Sequence, residues 1–426
     1  MTIYSPHHID QETKPLSVAV IGAGIIGICT ALSLRREGFR VTLIDGNGLS
    51  QGCSKGNAGH FATEQVFPLA DKRLIPQLPK MLIDPSGPFR IKPSYLIKAI
   101  PWFLRFALNM RDSRVKAHTR ALKSLNELSL DAFGPLIDDA NLNELFTKRG
   151  SLLTFERYDD KEIRRQFNAF LQQGVSVELL DKHALRELEP NLSENIKAAL
   201  LFSDVGHSCD PERLGVELAK DFLKRGGQFL QQEVASILPR KFGVEVKHKF
   251  ASGRFNRVVL ATGAWSKSLL APLGYKVPLD AERGYHLMID QKNLLSRPVA
   301  SADRKFIMTP MSAGLRLAGT VEFAGLDTKM NEKRANALLP HAQKLLPGLV
   351  ATRPQAKDKW MGCRPSLPDS LPVIGQAPNH QHLYLAFGHQ HLGLTQAAIT
   401  GKLITQLLTG QATSVDIEPF CLSRFN

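Results

Sequence analysis

The hexapeptide Gly22-Ala23-Gly24-Ile25-Ile26-Gly27 constrains the fold of this 426-residue chain more than any other feature. Its spacing is G-x-G-x-x-G, which alone says little. Its setting says much more. The apolar run Ser17–Gly22 before it reads as a buried parallel strand. Ile25–Glu37 after it carries apolar residues at helical spacing and stops at Gly38, a good C-cap position. Arg40–Asp45 reads as a second strand, and Asp45 stands 21 residues beyond Gly24. Strand, glycine turn, helix and acid-terminated strand together spell a dinucleotide-binding βαβ unit. Gly22 permits the tight turn, Gly24 lets a pyrophosphate approach the backbone, and Gly27 lets helix and strand pack closely. The helix N-terminus offers free N–H groups to the phosphates. The Asp45 carboxylate can accept hydrogen bonds from ribose hydroxyls.

The remaining chain is mixed in pattern. Gly46–Gly59 is rich in Gly, Ser and Asn and reads as a loop. Phe67–Pro101 is proline-rich and irregular. Trp102–Met110 is aromatic and apolar, with Arg105 inside it and Lys98 just before. That composition suits core, the wall of a cavity, or a bilayer interface. Helices are expected over Thr119–Asp138, Lys161–Gln173, Pro211–Arg225, Lys329–Leu346 and Gln396–Leu408. Strands are expected over Phe242–His248, Arg254–Ala261 and Tyr384–Phe387, with a hairpin of Phe306–Met311 and Leu315–Thr320.

Charge and cysteine usage narrow the function classes. The net charge is +14, which fits a solvated basic surface or an acidic partner such as an anionic lipid surface or substrate. No dense Lys/Arg run and no nucleic-acid-binding motif occurs, so nucleic acid is not an expected partner. The five cysteines, Cys29, Cys53, Cys209, Cys363 and Cys421, are widely spaced and form no CxxC. That argues against a disulfide framework or zinc site and for a reducing, cytoplasmic compartment. Met1–Lys14 is polar and does not read as a signal peptide. No apolar run is long enough to span a bilayer, which leaves a peripheral contact at the inner face of the membrane as the membrane reading. His389 and His391 form His-x-His on a glycine turn without nearby carboxylates, so no metal site is expected.

The dinucleotide is NAD or FAD, and three features select FAD. The glycine motif stands near the start of the chain, a second strand-and-turn signature follows at Val258–Trp265, and another glycine-rich turn precedes the last helix. With these residues the chain resembles the D-amino-acid oxidase and glycine oxidase superfamily, and within it the FAD-dependent D-amino-acid dehydrogenases. The resemblance runs from Ser17 to Gly410. It rests on GAGIIG at 22–27, SKGNAG at 54–59, ATGAW at 261–265, Glu282-Arg283-Gly284-Tyr285, GCRPSLPDSLPVIG at 362–375 and GHQHLGLT at 388–395.

The resemblance implies an α/β (mixed α+β) fold, with a Rossmann-like FAD domain interleaved with a substrate domain built on an antiparallel sheet with helices. Segments 15–80, 200–275 and 360–426 would form the first, and 81–199 and 276–359 the second. It places Asn57, Ala58 and Gly59 near the flavin ring, the Val234 backbone at the adenine and Gly263 beside the nucleotide. It runs the turn of Gly388, His389, Gly393, Leu394 and Thr395 under the pyrimidine end of the flavin. The stretch His60–Pro68 departs from the common D-alanine-type pattern and resembles a subgroup acting on D-hydroxyproline or other D-imino acids.

The implied reaction takes the Cα hydrogen of a neutral D-amino or D-imino acid as hydride to flavin N5, with later hydrolysis of the imine to a 2-oxo acid. Electrons would pass to a quinone or carrier; an oxidase releasing hydrogen peroxide and a non-catalytic FAD-binding subunit are the alternatives. Such chemistry needs orientation more than acid–base catalysis. Arg364 is the expected carboxylate anchor, since a guanidinium can grip a carboxylate bidentately. A structural pairing of Arg364 with Asp369 is the competing reading. Arg283 is a second anchor candidate. Tyr285 and His286 are candidate donors to substrate, and His60 and Glu64 candidate groups for recognising its side chain.

Overall fold

The computed structural model describes residues 15–72, 75, 87–249, 251–350 and 354–425. Met1–Lys14 and part of the irregular stretch expected over Phe67–Pro101 lie outside the described residues.

Continuous apolar runs around the glycine turn build a six-stranded sheet. Strand β1 (Ser17–Ile21) lies between two parallel neighbours, β2 (Arg40–Ile44) and the strand Arg257–Leu260. Gln228–Leu230 adds in parallel outside β2, and His380–Phe387 outside Arg257–Leu260. Val373–Ala377 closes that edge antiparallel. Val18, Ala19 and Val20 have no exposed surface, as a central parallel strand requires. Helix α1 (Ile25–Arg36) crosses one face and packs against the helices Pro211–Lys224 and Ala397–Thr409. The approach to the latter is close: a Cβ at Gly401 would lie 2.8 Å from the Cys29 carbonyl oxygen. The βαβ unit read from the sequence is thus present, with its strands and helix within a residue of the expected bounds.

The second layer is a nine-stranded, mostly antiparallel sheet. At its heart β4 (Asp280–Ile289) pairs with β5 (Gly314–Phe323) on one side and β6 (Lys359–Ser366) on the other. The chain returns to the parallel sheet only at Val373. Sequence patterning gave no strand over 280–289. Its ten residues include Asp280, Glu282, Arg283 and His286, so the apolar alternation that marks a strand is absent. The register between β4 and β5 shifts at Gly284/Tyr285, a bulge that re-aims the side chains around it.

Other boundaries also differ from expectation. The single helix expected over Thr119–Asp138 is two, Asp112–Glu127 and Ser129–Asp139. At the junction the Ser129 hydroxyl donates to the Leu125 carbonyl at 2.8 Å, a bond of the kind that bends helices. The helix expected over Lys329–Leu346 is likewise two short ones, Glu332–Asn336 and Leu338–Leu345. The strand expected over Arg254–Ala261 divides at Asn256 into Ser252–Phe255 and Arg257–Leu260, which join different sheets. The aromatic stretch at Trp102 belongs to helix α2 (Leu96–Leu108), which starts earlier than its composition suggested and contains Pro101.

A short strand, β3 (His60–Phe61), ties the loop after β2 to the strand Gly206–Ser208. Phe61 is fully buried, edge-on to Phe133 at 5.0 Å and to Phe146 at 5.2 Å. Phe61→Ala is expected to cost about 3–5 kcal/mol, the usual penalty for emptying an aromatic site. The midpoint of urea denaturation with cofactor present measures this; a loss well below 1 kcal/mol would show that the aromatic cluster does not anchor the segment.

Candidate active site

Between the two sheets lies a cavity of about 1560 Å³. A pocket for one drug-sized ligand occupies roughly 300–1,000 Å³, so this space accommodates a large cofactor and a small reactant together. Gly22, Gly24, Ile25, Ile26, Asp45, Asn57, Ala58, Val234, Gly263, His389, Gly393 and Leu394 line it, as do His60, Tyr285 and Arg364. Ala23, Gly27, Gly59, Gly388, Thr395, Arg283 and His286 stand behind the lining.

The nucleotide end is shaped by backbone. Gly22 has φ +105° and a Cβ there would lie 2.4 Å from the Ala261 carbonyl oxygen. At Gly27 a Cβ would strike the Gly22 carbonyl oxygen at 1.8 Å. Gly24 differs: its φ is −71°, and a Cβ would meet only the Ser54 hydroxyl, at 3.3 Å. The protein's own packing does not demand glycine at 24, but the phosphate cradle of a dinucleotide does, because a Cβ would occupy it. Asp45 is held at the end of β2 by two backbone donors, Ala23 N–H at 2.8 Å and Asn47 N–H at 2.7 Å. These residues fit the adenosine and pyrophosphate of FAD.

The loop before β3 is clamped from the large sheet. The Trp360 indole lies flat on two glycines: a Cβ at Gly56 would lie 2.2 Å from it and one at Gly362 2.1 Å. His286 stacks on that indole, with ring centres 5.1 Å apart, and its Nδ1–H donates to the Gly56 carbonyl at 3.0 Å. One residue on, the Asn57 carbonyl accepts from Arg316 Nη1 at 2.5 Å. Among the described residues no carboxylate contacts Arg316, and burial pushes its guanidinium down to about 10. His286 is therefore a support of the loop, and neither Trp360 nor Arg316 was foreseen; no glycine motif marks residues that act through a loop's carbonyls. Gly388 has φ +87° and leaves room for Leu367, while the Thr395 hydroxyl accepts from Ala62 N–H at 2.9 Å.

At the opposite end β4 presents alternate faces. Glu282 faces Arg364 across the strands, and Oε1 accepts from Nη1 at 3.1 Å. Gly284 between them leaves space for the guanidinium, since a Cβ there would lie 2.5 Å from Arg364 Cζ. Arg364 does not pair with Asp369, which is bound to Arg424 instead at 2.8 Å. Arg283 points the other way. It has no exposed surface and donates to Glu322 at 3.2 Å and to the Thr328 and Lys329 carbonyls. Its guanidinium cannot also anchor a substrate in the cavity. The Tyr285 hydroxyl is likewise committed, to Glu322 at 2.5 Å.

Burial keeps the nearby imidazoles neutral. His391 is lowered to about 4 chiefly by desolvation, with Arg364 and His60 adding repulsion and Glu282 opposing it. Desolvation lowers His389 to about 3 and His207 to about 4. Among the described residues lining the cavity, Arg364 and Lys305 are the cationic side chains, and Lys305 is exposed at its rim. No three His, Cys, Asp or Glu side chains among the described residues gather closely enough to hold a metal ion. Removing the Arg316 bond tests the clamp. Arg316→Ala is expected to forfeit about 1.5–3 kcal/mol, the range for a charged donor. In a titration of apoprotein with FAD this would appear as affinity weaker by roughly tenfold or more. Unchanged affinity would show that the loop holds its place without the guanidinium.

Comparison with known proteins places the chain in a family. The chain is 34% identical over 414 residues to a D-amino-acid oxidase of Bradyrhizobium diazoefficiens, covering 96% of this chain and 98% of that protein. It is 28% identical to a D-amino acid dehydrogenase of Neisseria gonorrhoeae, covering 96% and 99%. The crystal structure of glycine oxidase from Geobacillus kaustophilus superposes with a TM-score of 0.74 at 22% identity, over 97% of this chain and 99% of that one. The family model for FAD dependent oxidoreductases matches residues 17–407. The chain belongs to that family and is an FAD-dependent oxidoreductase.

Proposed function

We propose that this enzyme oxidises the Cα–N bond of D-amino or D-imino acids and passes the electrons to a quinone or other carrier. The single observation that carries the substrate reading is the Arg364 guanidinium on the cavity wall. Bound FAD supplies the two-electron acceptor for the Cα hydrogen. The protein's part is orientation. Arg364 receives the substrate carboxylate, Glu282 fixes the guanidinium, and Gly284 leaves it room. The neutral His391 beside it adds no second positive charge to compete for the carboxylate. In this reading the parallel sheet carries the cofactor and the nine-stranded sheet the substrate.

Helix α2 supports a membrane-facing carrier. Its inner face closes the cavity with Trp102, Phe103 and Phe106, and Trp102 Nε1–H donates to the Ser366 carbonyl at 3.2 Å. Leu96, Ile97, Ile100, Leu104 and Leu108 are exposed along the helix, Leu96, Ile100 and Leu104 where it borders the cavity, with Lys98 and Arg105 among them. An apolar stripe flanked by cations suits an anionic bilayer surface. No helix among the described residues is long and apolar enough to cross a membrane. The five free cysteines support a location on the cytoplasmic side. The relative named D-amino-acid oxidase favours a second reading, in which oxygen takes the electrons.

Arg364→Ala is expected to raise KM for amino acids by roughly 30- to 100-fold, the worth of a charge-assisted pair, while FAD content stays full. An unchanged KM would refute the anchor. Peroxide released in step with substrate loss would replace the quinone reading by the oxidase reading. For the membrane contact, Ile97→Asp with Leu108→Asp is expected to abolish cosedimentation with phosphatidylglycerol vesicles. Wild-type protein that stays in the supernatant at low salt would sink that contact.

A further inference from the structure

Six Asp and Glu side chains among the described residues are buried in the folded chain: Glu64, Glu156, Glu189, Glu282, Glu322 and Asp369. Five of them are paired with an arginine, at 2.6 to 3.2 Å. Glu64 is the exception. It is 3% exposed, and among the described residues neither Lys nor Arg contacts it. Its Oε1 accepts weakly from Gln65 Nε2 at 3.3 Å and lies 3.4 Å from His60 Nε2. Its Oε2 is buried with no partner at all, and His60 Nε2 makes no hydrogen bond either. A buried carboxylate without a cation or full hydrogen bonding is costly, and other interiors avoid it.

The backbone that carries this carboxylate is held in place from both sides. Ala62 N–H is bound to Thr395, and the Gln65 carbonyl accepts from Asn126 at 3.1 Å. Asn126 in turn accepts from Gln396 at 2.9 Å. Val66 N–H closes a turn on the Glu64 carbonyl at 2.8 Å. Glu64, His60 and Gln65 line the same cavity as Arg364 and His391. The cavity therefore offers one cation suited to a carboxylate and, at Glu64, one carboxyl oxygen without a hydrogen-bond partner among the described residues. The α-nitrogen of the substrate is a poor occupant for that anion. A carboxylate bound there would stabilise the ammonium form, whose nitrogen has no lone pair to drive loss of the Cα hydrogen.

We propose that Glu64 is a specificity-determining residue that receives a hydrogen-bond-donating group at the end of the substrate's side chain, an ammonium, guanidinium or hydroxyl, while Arg364 holds the carboxylate. The proposal rests on the amino-acid-oxidising function above. A site built around a polar partner rejects analogues that lack it far more strongly than an apolar pocket rejects a missing methylene. The substrate class is thus D-amino acids with polar, donor-bearing side chains, and cationic ones gain further from the charge.

The test uses the FAD-loaded full chain and anaerobic flavin reduction, with kcat/KM compared within matched pairs. D-lysine is set against D-norleucine, and D-homoserine against D-norvaline, with D-alanine as a reference. At least one donor-bearing member is expected to exceed its apolar partner by roughly 100-fold or more. Selection in the lysine pair alone identifies a cation as the natural donor, and selection in the homoserine pair a hydroxyl. Glu64→Gln keeps volume and loses charge, so it is expected to cut a lysine preference at least tenfold. Glu64→Leu is expected to remove preference in both pairs; FAD content reports its folding, and the Gln variant decides if the Leu variant does not fold. Equal rates within both wild-type pairs, with D-alanine active, would overturn the role of Glu64 alone, as would a preference that survives in the variants. No reduction by any of the five would overturn the amino-acid reading and this proposal with it.

Discussion

Contact between bare backbone segments governs the nucleotide end of this enzyme. The first turn of α1 touches the end of β1 so closely that any side chain at Gly27 would overlap the Gly22 carbonyl, and any at Gly22 would overlap Ala261. That contact sets the direction of α1. The direction of α1 sets where its N-terminus points, and also the faces on which the helices Pro211–Lys224 and Ala397–Thr409 pack. Gly401 repeats the device at the helix–helix contact. Three distant chain segments converge on one helix whose position is fixed by missing side chains rather than by added ones.

The opposite end of the cavity uses charge inside a sheet. Glu282 and Arg283 are neighbours on β4, so their side chains leave on opposite faces. Glu282 holds Arg364 at the cavity, and Arg283 is held by Glu322 away from it. Buried pairs of this kind add little net stability, yet breaking one strands its partner. Their contribution is geometric: each pair fixes which face of the sheet carries a usable guanidinium.

The βαβ unit was legible because its signals are local. Strand, turn glycines, helix and Asp45 follow one another in sequence and obey simple periodicities. Arg364 was legible through the segment that surrounds it, but its partner was not: Asp369 is close in sequence, whereas Glu282 is close only across the strands. Strand β4 itself escaped notice because its buried faces are charged and paired rather than apolar. Arg283, Tyr285 and His286 were grouped by one short motif, and alternation along the strand then separated their roles. Arg316 grips a carbonyl and Trp360 covers a glycine of another segment, which no sequence spacing records. The isolation of Glu64 is a property of what fails to approach it, and that is visible only in three dimensions.

Gly284 carries a consequence for how such a chain can change. Its missing side chain is the space in which the Arg364 guanidinium lies. Positions 284 and 364 are therefore epistatic, although they belong to different strands and different motifs. A larger residue at 284 would push the guanidinium off its present place beside Glu282. A lineage that lost this arginine and then filled position 284 could regain a guanidinium only in a different place.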